Sequence, residues 1–318
     1  MDQAEPHSIE VAVIGASGFV GSAVVQALEV RGVRVRGMHA PRLPAMAIED
    51  IGSFLESDSA YLADLSRELA GVVAVVNAAG IADAGSRSRN ELLSANAALP
   101  GLIARSAKLA GVARLVHVSS AAVQGHKAEL DSSGVVQPFS PYSLSKSVGE
   151  RMALNCFSGV VIYRPTGVHG PGRHVTAVLA RIARSPLAMV AAPGDQLTPL
   201  ALIGNVADAI AFLATCHQQP PEIVAHPSEG LTTAGLIVAL GHRRPLLLPV
   251  ALSRAVGFLL RALARAVPPL RSTVRRAELL LFGQHQADSW LSTSGWRPPV
   301  GLVGWSALGR EFKRQSPR

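Results

Sequence analysis

Three tyrosines (Tyr61, Tyr142, Tyr163) and four lysines (Lys108, Lys127, Lys146, Lys313) occur in these 318 residues. One of each stands in "PYSLSKSVGE", residues 141–150, four positions apart. Ser140-Pro141 reads as a helix start, because proline is tolerated in the first helical turn. Side chains four apart on a helix share a face, with Cβ atoms about 5–6 Å apart. The spacing therefore predicts that the Tyr142 phenol and the Lys146 ammonium enter one space. A phenol titrates near pH 10, and a nearby cation lowers that value by favouring the phenolate. Bringing it to about 7 takes about 4 kcal/mol of differential stabilisation. A pair tuned in this way moves protons, whereas an untuned pair is two polar residues on a wet helix face. The spacing alone does not choose between them.

A second constellation is "VAVIGASGFVGSAVVQAL". Gly15, Gly18 and Gly21 recur every third residue between an apolar strand and a helical stretch. That context suits a pyrophosphate turn: glycine lets the backbone approach the phosphates, and the helix N-terminus presents free N–H groups. Ser17, Phe19 and Val20 complete the predicted turn. The next strand, "VRVRGMHAPR", ends without an acid for a ribose 2′-hydroxyl. His39 stands near the acidic position, with Arg36 and Arg42 beside it. Basic residues there favour a 2′-phosphate, so the cofactor expected is NADP or NAD, with NADP preferred.

Elements must hold these residues. "IEVAVIGA", "VRVRGMHA", "VVAVVNAAG", "ARLVHVSS" and "GVVIYRPTG" are short apolar runs separated by helix-like segments. The alternation predicts βαβ units in a Rossmann-type, doubly wound parallel sheet covered on both faces. After about residue 170 the pattern weakens and proline becomes frequent. Residues 1–170 are expected to form the dinucleotide-binding domain, with part of the later chain returning to it. Residues 171–318 are expected to form mostly a smaller α/β substrate lobe.

Composition excludes several classes. Cys156 and Cys216 make no disulfide framework and fit a reducing compartment. "MDQAEPHSIE" lacks the basic and apolar regions of a secretory signal, so a cytoplasmic protein is expected. The net charge of +8 favours anionic ligands. Arginines are scattered and aromatics few, which gives no nucleic-acid surface. No metal-ligand spacing is present. Residues 246–270, "LLLPVALSRAVGFLLRALARAVPPL", place Leu252, Val256, Leu259, Leu263 and Val267 at helical spacing, with Arg254, Arg261 and Arg265 on another face. Internal arginines exclude an ordinary transmembrane span. The expected arrangement is a lobe helix with its apolar stripe packed inward; the alternative is a helix lying on anionic lipid.

Taken in order, these segments resemble the extended short-chain dehydrogenase/reductases, also called the NAD-dependent epimerase/dehydratase family. "GASGFVG" resembles the glycine motif and "PYSLSKSVGE" the Tyr-x-x-x-Lys helix. "ADLS" resembles the adenine-side acidic turn, "VVNAAG" the fourth-strand motif, and "GVVIYRPTGVHGPG" the nicotinamide-side strand and loop. "ADSWLSTSGWRPPVGL" resembles the closing region. The resemblance implies adenine contacts from Asp64 and Leu65, and cofactor contacts from Ala78, Ala79, Gly80, Asn96, Pro165, Gly167 and Val168. It implies that Ser120 hydrogen-bonds the reacting oxygen, that Tyr142 exchanges its proton, and that Lys146 binds the nicotinamide ribose and lowers the tyrosine pKa. Hydride transfer converts a carbonyl to an alcohol, so one proton must move with it.

Departures bear on the substrate. Val123-Gln124-Gly125 replaces the family's Val-Tyr-Gly, and Thr198 stands where nucleotide-sugar epimerases carry an arginine on the diphosphate. Arg173 or Arg181 are the substitutes to examine. Asn205, Val206, Ala207 and Asp208 keep the neighbouring motif. The leading expectation is a nucleotide-sugar epimerase or 4-keto reductase, the sugar nucleotide being its small-molecule partner. The alternatives are an NADP-dependent reductase of a small ketone or aldehyde, and a non-catalytic dinucleotide sensor or scaffold on the same fold. A homodimer follows from the resemblance alone.

Overall fold

The computed structural model describes residues 9–82, 88–267 and 270–315; most of "MDQAEPHSIE" and Pro268-Pro269 lie outside them. The first half contains β1 (Glu10–Ile14), α1 (Phe19–Val30), β2 (Arg34–Met38), α2 (Ile51–Glu56), α3 (Ala60–Glu68), β3 (Ala74–Asn77), α4 (Arg89–Leu93), α5 (Leu99–Leu109) and β4 (Arg114–Val118). There follow β5 (Glu129–Leu130), α6 (Pro141–Cys156), β6 (Val160–Arg164), β7 (Gly167–His169), α7 (His174–Arg184), β8 (Met189–Ala191), β9 (Leu200–Leu202) and α8 (Ile203–Thr215). The last third contains β10 (Ile223–Ala225), α9 (Thr233–Gly241), β11 (Leu246–Leu248), α10 (Val250–Ala266), α11 (Arg271–Phe282), β12 (His285–Gln286), α12 (Trp290–Thr293) and α13 (Val303–Gln315).

Six parallel strands form the central sheet in the order β10-β6-β4-β3-β1-β2. Five are the strands read from the sequence. Their runs are apolar because helices cover both faces. Val75, Leu115 and Ile162 meet Leu65, Leu102 and Val148 on one side. Val13, Val76 and Val161 meet Val24, Leu28, Val206 and Ile210 on the other. The sixth strand, β10, was not legible, because three residues carry no periodicity.

The later chain also reaches this sheet. It supplies β10 and α8, whose Val206, Ile210 and Leu213 join the core beneath α1. A third core, around Leu179, Val190, Leu236, Leu240, Trp305 and Phe312, is built from α7, β8, α9 and α13. The closing motif is a clasp between the two: Trp296 Nε1 donates to Asp208 at 2.7 Å, and Asn205 exchanges two hydrogen bonds with the Val300 backbone.

Two expectations are corrected. "ADLS" is not a turn but part of α3. There Asp64 is exposed and paired with Arg67 at 3.1 Å, while Leu65 is buried in the core. Successive helical residues point about 100° apart, so one of the two side chains meets solvent and the other the core. The second correction concerns α10. Its inward positions are Ser253 and Gly257, whereas Leu252, Leu259, Leu263 and Val267 are exposed. Gly257 lies against Phe282 of α11, where an added Cβ would come within 3.2 Å of the ring. Val256 of the expected stripe is half-buried, so the stripe as a whole does not pack inward.

Candidate active site

The candidate residues gather at the C-terminal ends of β1, β2, β3, β4 and β6, the end at which open α/β sheets bind ligands. Gly15 has φ +84°, and a Cβ there would meet the Ala79 backbone at 2.8 Å. At Gly21 a Cβ would stand 2.0 Å from the Gly15 carbonyl, so that glycine lets α1 start tight against the turn. Gly18 is exposed and extended at the α1 N-cap. Ser17 beside it is exposed, and Phe19 and Val20 are half-buried in the first turn. The turn hydrogen-bonds β2 through Gly15 N to Met38 O, and β3 answers β1 through Ala78 N to Ile14 O. His39 and Arg42 are exposed beyond β2, and His39 lines a groove with Ala16, Ser17, Gly37 and Met38. Arg36 points elsewhere. Its guanidinium pairs with Glu10 at 2.6 Å and donates to the Glu68 and Ala70 carbonyls. It is therefore removed from the 2′-phosphate set.

The opposite wall is built on α6. The predicted start holds: Pro141 opens the helix and Ser140 caps it, accepting from Ser143 N. Tyr142, Lys146, Gly149 and Ala153 follow one helical face. Gly149 lets α6 approach the π-helical turn Ser94–Ala98 so closely that a Cβ would fall 1.9 Å from Asn96 O. Such wide turns recur at functional sites. Asn96 accepts from Ile81 N, and its amide donates to Ile81 O and Ser145 Oγ, which ties α6 to the loop after β3. Gly80 lies between them at φ +147°, where a Cβ would come within 2.6 Å of Asn96 Oδ1 and 3.2 Å of Lys146 Nζ.

Lys146 is buried and donates to Val118 O at 3.1 Å. Burial lowers its pKa to about 8, against the opposing charge of Glu150 one turn on. Glu150 is fixed in turn: it accepts from Ser119 Oγ at 2.6 Å and from both sides of the buried Arg164 guanidinium at 2.7 and 2.8 Å. Ser120 caps the short helix after β4, its Oγ accepting from Ala122 N. Burial pushes the Tyr142 phenol above its ordinary value; the Ser120 hydroxyl and the charges of Arg173 and Arg276 pull it back. The cations acting on the phenol are thus two arginines, while Lys146 faces the Val118 carbonyl.

Neither role of these arginines was read from the sequence. Arg173 was considered only as a phosphate clamp. It lies over the Phe19 ring at 4.9 Å and donates to Val168 O, bridging the glycine loop and the loop after β6. Arg276 comes from α11, more than a hundred residues beyond Tyr142, and no local signal could have found it. His169, the last residue of β7, stands beside the Trp305 ring, and burial and both arginines lower its pKa to about 3, so it is neutral. In the loop itself Pro165 is buried and accepts from Ala121 N, Gly167 is exposed and Val168 buried. Thr166 Oγ1 is buried with no partner among the described residues.

These residues fit a nicotinamide dinucleotide. The glycine turn leaves room for a pyrophosphate at a helix N-terminus, and the orphaned Thr166 hydroxyl sits in the expected nicotinamide loop. Thr198, at the place of the absent arginine, is buried with its hydroxyl donating to Leu231 O. Arg181 is exposed on α7. Among the described residues no cluster suits a metal ion.

Residues 11–225 match the NAD dependent epimerase/dehydratase family. Among curated proteins, the chain is 30% identical over 170 residues to sterol demethylase protein B of Methylococcus capsulatus. That match covers 50% of this chain and 51% of the relative, about half the length of each. It is 26% identical over 320 residues to the 4-hydroxy-2-methyl-3-oxo-4-farnesyl-3,4-dihydroquinoline-1-oxide ketoreductase of Stigmatella aurantiaca, covering 92% of this chain and 91% of that one. Among solved structures, the UDP-glucuronic acid 4-epimerase of Bacillus cereus in complex with NAD matches 96% of this chain and 99% of its own. Its identity is 19% and its TM-score 0.64. The dTDP-4-dehydrorhamnose reductase of Bacillus anthracis in complex with NADP matches 98% and 100%, at 14% identity and TM-score 0.63. At those identities the likeness shows the shared fold.

Proposed function

The chain belongs to the NAD dependent epimerase/dehydratase family, and from that premise we propose that it interconverts a ketone and a secondary alcohol with NADP(H). The carrying observation is that the Ser120 hydroxyl and the charges of Arg173 and Arg276 all act on the Tyr142 phenol, on the α6 face that sets Lys146 against Gly80. A bound dinucleotide supplies the hydride. In the reducing direction Ser120 donates a hydrogen bond to the substrate oxygen, and Tyr142 delivers its proton to the same oxygen. Arg173 and Arg276 stabilise the phenolate left behind. Lys146 holds the ribose beside Gly80 and Asn96. Gly15, Gly18 and Gly21 take the pyrophosphate, and His39 and Arg42 the 2′-phosphate.

At the substrate end the reading is a ketone on a largely apolar molecule. Thr198 is buried and occupied by a backbone carbonyl, Arg181 points to solvent, and Arg173 serves the reacting end. No candidate arginine is left for a sugar-nucleotide diphosphate. The full-length relative named a ketoreductase supports this reading. A nucleotide-sugar epimerase or 4-keto reductase is the second reading, favoured by the fold neighbours with those names. The test is NADPH oxidation with cyclic and prenylated ketones, run beside UDP- and dTDP-sugars. Ketone-dependent turnover that disappears in Tyr142→Phe supports the first reading. Turnover of nucleotide sugars alone replaces it by the second.

A further inference from the structure

We infer that α10 is a docking surface for an anionic lipid bilayer. A helix turns about 100° per residue. Ser253, Gly257, Leu260 and Ala264 therefore fall within an arc of about 60°, and this is the side packed on α11. Leu252, Ala255, Phe258, Leu259, Ala262 and Leu263 occupy about 140° of the opposite side, with no charge among them. Phe258 is 63% exposed, Leu259 65%, Leu252 50% and Leu263 42%. The apolar surface continues into Leu246 and Leu247 of β11, which enters α10 directly through Pro249 and is itself exposed. Arg254, Arg261 and Arg265 fall on one border of the apolar arc.

Charge identifies the occupant. Residues 230–277 contain eight arginines and no acidic residue, Glu229 and Glu278 standing just outside. The whole formal net charge of +8 resides in this segment, and the rest of the chain balances at 22 of each sign. Of the arginines on the α10 border, Arg261 faces Glu278 at 3.5 Å, while Arg254 and Arg265 have no ion pair among the described residues. A second copy of the chain would bring the same unpaired Arg254 and Arg265 against this face. An anionic headgroup layer neutralises it, and the acyl boundary accepts the leucines and phenylalanine. The helix lies in the interface plane: none among the described residues is long and apolar enough to cross a bilayer. α10 packs on α11, and α11 sets Arg276 near Tyr142.

The test is co-sedimentation of the full chain with vesicles of phosphatidylcholine, alone and mixed with phosphatidylglycerol. Binding to the mixed vesicles that weakens with added salt is expected. Each arginine near an anionic surface is worth about fivefold, so Arg254→Gln with Arg265→Gln should lower partitioning about 25-fold. Leu259→Asp with Leu263→Asp should abolish it while dinucleotide affinity and the circular dichroism spectrum stay unchanged. These residues are exposed and outside the active site, so the fold survives. Equal binding to neutral and anionic vesicles, absence of binding to either, or unaltered binding by the double aspartate variant overturns the inference. So does a concentration-dependent dimer in sedimentation velocity that the same variant abolishes, since the face would then join two copies. The readout is independent of turnover, so it stands or falls separately from the ketone reading.

Discussion

The two ends of this molecule solve opposite packing problems. In the dinucleotide half, β1, β3, β4 and β6 are buried nearly throughout, and at the candidate site glycine permits close approaches: Gly21 on Gly15, Gly149 on Asn96, Gly80 on Asn96 and Lys146. In the C-terminal lobe the strands are three residues or fewer, and α10 turns its small residues inward and its large apolar ones outward. The first half uses its apolar residues to make a rigid frame. The second leaves many of its own in solvent and carries the chain's excess charge. The proposed chemistry, which demands fixed geometry, uses the frame, and the proposed membrane docking uses the C-terminal part.

The comparison breaks if the frame does not hold the chemistry. Tyr142→Phe removes one hydroxyl, so fold and dinucleotide affinity should persist while turnover falls about 10²–10⁴-fold. Lys146→Met should lose more, because a ribose contact goes too. Wild-type turnover in either variant would reduce the pair to neighbours on a helix.

Beneath the site, Glu150→Gln would leave Arg164 buried and unpaired. Removing one partner of a buried pair costs about 3–5 kcal/mol, so thermal unfolding should occur at a much lower temperature. An unchanged melting curve would show that the frame does not depend on this pair.

Gly18→Val places a side chain where the pyrophosphate lies, without meeting the tight contacts that Gly15 and Gly21 make. Calorimetric titration should show at least a 100-fold loss of affinity in a folded protein. Unchanged affinity for both dinucleotides would move the site elsewhere.

Dinucleotide affinity also reports on Lys146. Its pKa of about 8 lies below the ordinary 10.5. The unfolded chain therefore binds that proton more tightly, and the burden of the buried ammonium on stability disappears as pH rises from about 8 to about 10.5. The same deprotonation removes a donor from the site. Affinity should decline as pH passes about 8 in the wild type and stay level in Lys146→Met. Equal slopes in both would exclude Lys146 from the ribose contact.

The smallest effect sharpens the boundary of the cofactor site. Arg42→Gln should lower the preference for NADP over NAD by about fivefold, less at high salt. Arg36→Gln should leave the preference intact, since Arg36 is held by Glu10. A shift with Arg36 and none with Arg42 would reverse the assignment.

Local pattern determined a great deal of this protein. The five strands, the start of α6 at Pro141, the glycine turn and the shared face of Tyr142 and Lys146 were all legible, because periodicity, capping and glycine spacing act within a few residues. The same local reading failed where one motif had two explanations: "ADLS" as a turn or a helix, Arg36 as a phosphate ligand or the partner of Glu10. Only the tertiary structure decided which arginines meet the phenol, since Arg173 and Arg276 arrive from distant elements. Only it could orient α10. Amphipathic spacing says that a helix has an apolar face, but small residues also pack, and close packing of Gly257 on Phe282 turned that face to solvent. A face is chosen by what stands opposite it, and that is not written in the helix's own residues.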